Sequence, residues 1–67
     1  MIEIVLNGEP KSIADGLSLA DLCKELALPD RGVAVAVNFE LIPRSGADKV
    51  HLHNNDIVEI VTATAGG

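Results

Sequence analysis

Aromatic side chains are almost absent: the 67 residues include no Trp, no Tyr and one Phe, Phe39. Large rings fill a small core fastest, so this chain must build its interior from the Val, Ile, Leu and Ala that dominate its 48% hydrophobic content. The same lack removes the stacking platforms on which single-stranded nucleic acid is held. Basic residues are scarce too, with five Lys and Arg against ten Asp and Glu and a formal charge of −5. Acids spread from Glu3 to Glu59 repel phosphate backbones, which argues against nucleic acid as a partner. They favour encounter with a basic protein surface.

Cysteine is limited to Cys23, so no intramolecular disulfide can staple the fold and a reducing, cytoplasmic setting is expected. No apolar run is long enough to span a membrane. The start, "MIEIVLNGEP", has an acid and a turn where a secretory leader would need a basic stretch and a longer apolar run. At this length one domain is expected, burying only about 60% of the surface its unfolded chain exposes. Little volume remains to enclose a substrate.

What is present is well patterned. In "MIEIVL", Ile2, Ile4 and Leu6 alternate onto one face of a strand and Glu3 and Val5 onto the other. Asn7-Gly8 supplies the positive φ values of a tight hairpin turn. "EPKSI" returns, and Pro10, lacking a ladder donor, puts it at a sheet edge. Asp15-Gly16 ends it. Ser18 is an N-cap with Asp21 three residues on, Leu17 and Leu22 are placed as a staple, and Leu19, Leu22, Cys23 and Leu26 recur at helical spacing. This predicts an amphipathic helix of about three turns, ending near Leu28 before Pro29.

"GVAVAVN" and "LIPR" form a second hairpin turning at Phe39-Glu40, with Pro43 marking an edge or a bulge. "SGADKVHLHNND" is a connecting loop with room for a helical turn, closing on a turn at Asn55-Asp56. "DIVEIVT" is the last strand, with Val58 and Ile60 on one face and Ile57, Glu59 and Val61 on the other. The first and last strands are the most hydrophobic and should be central, parallel neighbours. The sum is an α+β domain in which a mixed sheet of four to five strands wraps one helix. It comprises residues 1–62, followed by a flexible tail at 63–67.

Conventional catalytic groups are few. Cys23 lies on the apolar stripe of the helix, where a thiol behaves as a small inert hydrophobe. His51 and His53 alternate and would share a face, but two ligands make a poor metal site and no Cys lies nearby to complete one. Phe39, at a hairpin tip, either folds back on its own hairpin or anchors a partner. Val5, Ile57 and Val61 lie on the sheet face that a single helix leaves uncovered.

The tail, "ATAGG", has no side chain larger than Ala or Thr to bind it to a core, so it should be mobile. Glycine is the costliest residue to order. What it offers is slimness: no Cβ blocks a narrow channel, and no side chain shields the terminal carbonyl. The α-carboxylate is ionised at neutral pH and can attack an activated phosphate. A chain whose own C-terminus is the substrate needs such an end, and the alternative is a frayed terminus.

The element order, the segments "VAVAVN" and "IPRS", and above all "NDIVEIVTATAGG" resemble the ThiS family, ubiquitin-like β-grasp sulfur carriers of thiamin biosynthesis, over essentially the whole chain. The resemblance implies that an E1-like enzyme adenylates the Gly67 carboxylate, and that sulfur from a cysteine desulfurase persulfide replaces AMP. The resulting thiocarboxylate then serves thiazole synthase. Gly67 would bear the reactive group, Gly66 would admit it to partner active sites, and Ala63, Thr64 and Ala65 would form the arm. ATP and Mg²⁺ would belong to the activating enzyme, with no cofactor on this chain, which acts as a cosubstrate and not an enzyme. Family members often carry an aromatic residue after the Pro-Arg pair and a Gly-Asp before the last strand. Here "SGADKV" and "NND" stand in those places, with Asn55 able to take the left-handed turn. The alternatives are the small subunit of molybdopterin synthase, a ubiquitin-like modifier and, from another class, a plain protein-interaction module.

Overall fold

Alternation in "IEIVL" produces β1 (Ile2–Leu6), and Asn7 and Gly8, at φ +50 and +84, reverse the chain into β2 (Glu9–Ile13). Helix α1 (Leu19–Glu25) follows, then β3 (Val33–Val37), β4 (Glu40–Ile42), a 3-10 helix (Arg44–Lys49) and β5 (Ile57–Thr62). The computed structural model describes residues 1–29 and 32–62. Residues 63–67, with the expected Gly66-Gly67 tail, lie outside the described residues.

The five strands form one mixed sheet in the order β2-β1-β5-β3-β4. As the hydrophobicity of the first and last strands implies, β1 and β5 are parallel neighbours, paired at Val5↔Ile57 and Leu6↔Val58. Antiparallel pairs flank them, β1 with β2 and β3 with both β5 and β4. Pro10 sits in the edge strand β2, where no ladder donor is missed.

One sheet face carries Ile4, Ile13, Val35, Val37 and Val58, all buried, against Leu19, Leu22 and Cys23 of α1. Ala47 of the 3-10 helix and Leu52 of the following loop complete this core. Cys23 is 3% exposed, on the helical stripe where its spacing placed it. Among the described residues no helix is long and apolar enough to cross a membrane.

Three local details differ from the sequence reading. The helix spans seven residues, about two turns, and stops short of Leu28. Ala27 takes φ +55; its N–H donates to the Lys24 carbonyl and that of Leu28 to the Cys23 carbonyl, both at 3.1 Å. This is the paired closure of a Schellman motif, which satisfies the last helical carbonyls. The second hairpin turns at Asn38-Phe39, with φ +51 and +70, and Glu40 already belongs to β4. A two-residue loop with both central φ positive matches strand twist, and Asn is its usual first residue. Pro43, finally, lies beyond β4 and opens the 3-10 helix, where its fixed φ suits a helix start.

Candidate functional site

The strand that leads to the C-terminus is the middle one. β5 has β1 on one side and β3 on the other, and its last residue, Thr62, pairs with Val33 at the start of β3. β5 therefore ends at the end of the sheet where β3 begins.

Directly paired residues share a sheet face, so the register defines the uncovered one. Val5 pairs with Ile57, Glu59 with Ala36, Ala36 with Leu41, and Val61 with Ala34. Val5, Ile57 and Val61 are thus on one face, as alternation implied. Ala34, Ala36 and Leu41 join them, and reading the sequence had not singled these out. Leu41 is 68% exposed and Val61 62%. The two alanines make a low strip between these larger side chains, with the Glu59 carboxylate on the same level as Ala36. In "ELI" the structure puts Ile42 inward and Leu41 outward. A three-residue strand is too short for periodicity to assign it a face before its partner is known.

Phe39 does not fold back. Its 79% exposure leaves the ring in water. It is set apart from the end of β5, because the hairpin tip lies beyond Val37↔Val58, at the opposite end of β3 from Val33↔Thr62. Four residues of β5 separate the two levels, about 13 Å at the strand rise.

Polar turn residues hold the sheet end at which β5 begins. Asn38 Oδ1 accepts from the Ile57 N–H at 3.0 Å, and its amide donates to Asp56 Oδ1 at 3.1 Å. Asp56 Oδ2 accepts from the His53 N–H at 2.8 Å, and Asn54 Oδ1 accepts from the Glu3 N–H at 2.9 Å. Asn7 Oδ1 accepts from the Ile60 N–H at 2.8 Å. Single asparagines in a sequence announce turns but not which strand amide they will cap, so these contacts went unforeseen.

His51 forms an isolated bridge with Ser18. The His53 ring nitrogen lies 3.9 Å from Asp56 Oδ2. Among the described residues, no three His, Cys, Asp or Glu side chains come together as a metal site. Among the described residues, the geometry presents an open sheet face with exposed Leu41 and Val61 and a central strand, β5, that crosses it.

Comparison with known proteins gives this geometry a family. The model of the ThiS family matches residues 4–67. A thiazole synthase of Paramagnetospirillum magneticum is 33% identical over 66 residues, 98% of this chain, although the chain spans only 20% of that protein's length. The sulfur carrier protein ThiS of Thermus thermophilus is 34% identical over 62 residues, covering 92% of this chain and 95% of its own. Among solved structures, the thiamine biosynthesis protein ThiS of Geobacter metallireducens superposes with a TM-score of 0.84 at 26% identity, over 98% of this chain and all of the other. With the sheet order, the single helix and the match running through Gly67 in agreement, the chain belongs to the ThiS family.

Proposed function

We propose that this chain is a sulfur carrier of thiamin biosynthesis, a cosubstrate whose Gly67 carboxylate is loaded and unloaded by other enzymes. The observation that carries this reading is the family match continuing past the last strand through Gly66-Gly67. A relative of that family, similar over nearly its whole length, is a sulfur carrier by name.

The chemistry follows from the group. A carboxylate does not give up oxygen unaided. One of its oxygens attacks the α-phosphorus of ATP, held with Mg²⁺ by an E1-like enzyme, and pyrophosphate leaves. A persulfide sulfur from a cysteine desulfurase then attacks the acyl carbon and AMP departs, giving an acyl disulfide. A second thiol takes the cysteine sulfur as a disulfide and frees the thiocarboxylate. Gly66 admits the chain end to the narrow sites where these steps occur, and Ala63, Thr64 and Ala65 supply reach. Docking on the face formed by Val5, Ile57, Val61 and Leu41, with Phe39 at its far end, lets a protein surface select the acceptor.

Thiazole synthase is the acceptor this reading names. A segment similar to nearly all of this chain occupies a fifth of the Paramagnetospirillum thiazole synthase, an arrangement that supports a working pair of carrier and synthase.

The test is the intact mass of the protein after incubation with ATP, a sulfur source and the E1-like enzyme of the same organism. A mass gain equal to one sulfur in place of one oxygen, located on Gly67 by fragmentation, is the expected result. An unchanged mass with an enzyme active on another carrier would return the protein to a plain interaction module. Sulfur delivered to a molybdopterin synthase in place of thiazole synthase would move it to the other pathway.

A further inference from the structure

β5 is supported unequally by its two neighbours. On the β3 side the register continues to the last residue, Val33↔Thr62. On the β1 side the paired residues are Val5↔Ile57 and Leu6↔Val58, because β1 turns away at Asn7 and Gly8. The rungs there begin as a parallel ladder does: the Val5 N–H donates to the Asp56 carbonyl and the Asn7 N–H to the Val58 carbonyl, each at 2.9 Å. The next rung of such a ladder would run from the Ile60 N–H to the Asn7 backbone carbonyl. That N–H donates to Asn7 Oδ1 at 2.8 Å. The side chain stands in for its own carbonyl and carries the ladder one rung past the end of β1.

Two demands therefore meet at this position. The turn needs a residue that tolerates φ +50, which Gly, Asn and Asp do. The strand needs an acceptor one short side chain away, which Gly lacks. We infer that Asn7 is a positioning residue for the chain end: by holding Ile60 on the β1 side, it sets the origin and direction of the arm that presents Gly67. The inference rests on the sulfur-carrier reading.

Without the rung, two-sided support of β5 ends at Val58, and its last four residues are held by β3 alone. One-sided support loosens the direction in which β5 runs, and a misdirected end reaches the reactive geometry less often. The docking face is untouched, so the effect belongs in kcat and not in KM.

Asn7→Gly keeps the turn and removes the acceptor, whereas Asn7→Asp keeps both. The experiment measures amide hydrogen exchange at Ile60 and steady-state ATP–pyrophosphate exchange with the E1-like enzyme, varying carrier concentration, for the native chain and both variants. For Asn7→Gly we expect Ile60 exchange roughly two- to tenfold faster and kcat lower by a similar factor, the range of one hydrogen bond's net worth. KM should be unchanged, and Asn7→Asp should restore both readouts. Faster exchange with unchanged kcat overturns the positioning role and leaves the rung purely structural. Unchanged Ile60 exchange overturns the rung itself. Failure of the native chain to support exchange at all, with an enzyme active on another carrier, overturns the sulfur-carrier reading and the role in adenylation with it.

Discussion

Phe39 holds φ +70 while leaving 79% of its surface in water. A left-handed backbone costs a non-glycine residue about 1–2 kcal/mol, and glycine gives back about 0.5–1 through its freer unfolded state. Little packing would be lost with so exposed a ring. Phe39→Gly should therefore stabilise the domain by about 0.5–1 kcal/mol, a rise in Tm of roughly 2–8 °C by thermal unfolding. A fall in Tm would mean that the ring packs on its own hairpin. In the docking role proposed for this residue, the same variant should bind its partner more weakly. Strain and solvent exposure at one aromatic residue fit a side chain kept for contact. That Phe39 lies in a turn was legible in the sequence; that it takes the left-handed second position was not, because Phe is a rare occupant of such sites.

At the scale of elements, strands were easier to read than the helix end. Period-two alternation in "IEIVL" and "IVEIV" and the Asn-Gly pair have direct physical causes, and they produced β1, β5 and the first hairpin where expected. The helix start was equally plain: Ser18 Oγ accepts from the Asp21 N–H at 3.1 Å. Its end was hidden, since Leu26, Leu28 and Pro29 all suit a longer helix, and the residue that stops it is Ala27 at φ +55, where glycine is customary. Ala27→Gly should add about 0.5–1 kcal/mol by removing that strain. An upward shift of the urea midpoint at constant m-value would show it. Helical content by far-UV circular dichroism should not change, because the helix would end in the same place.

For the whole molecule, the fold and the proposed reactive end are separable. Among the described residues, the buried side chains run from Ile4 to Val58, well before positions 66 and 67. Deleting those two glycines should leave Tm within about 2 °C, since the change touches none of the mechanisms that destabilise a domain strongly, and should abolish adenylation. Leu22→Ala is the opposite case. Leu22 is fully buried under the sheet, and such truncations cost about 2–5 kcal/mol. A domain of this size has roughly 3–10 kcal/mol in total. The variant should be partly or wholly unfolded at 37 °C by circular dichroism, and adenylation of Gly67 should fall with the folded fraction.

The sequence by itself determined the element order, the inward-facing residues of β1, α1 and β5, the edge position of β2 and the family, because alternation, helical spacing, turn chemistry and a terminal Gly-Gly are local properties of the chain. Only the tertiary structure decided which strand amides the asparagines cap, where the helix stops, and that Leu41, Ala34 and Ala36 share an open face with Val61. Each of those depends on register between segments distant in sequence. A strand's own pattern says which residues alternate, but only the strand paired with it says what they meet.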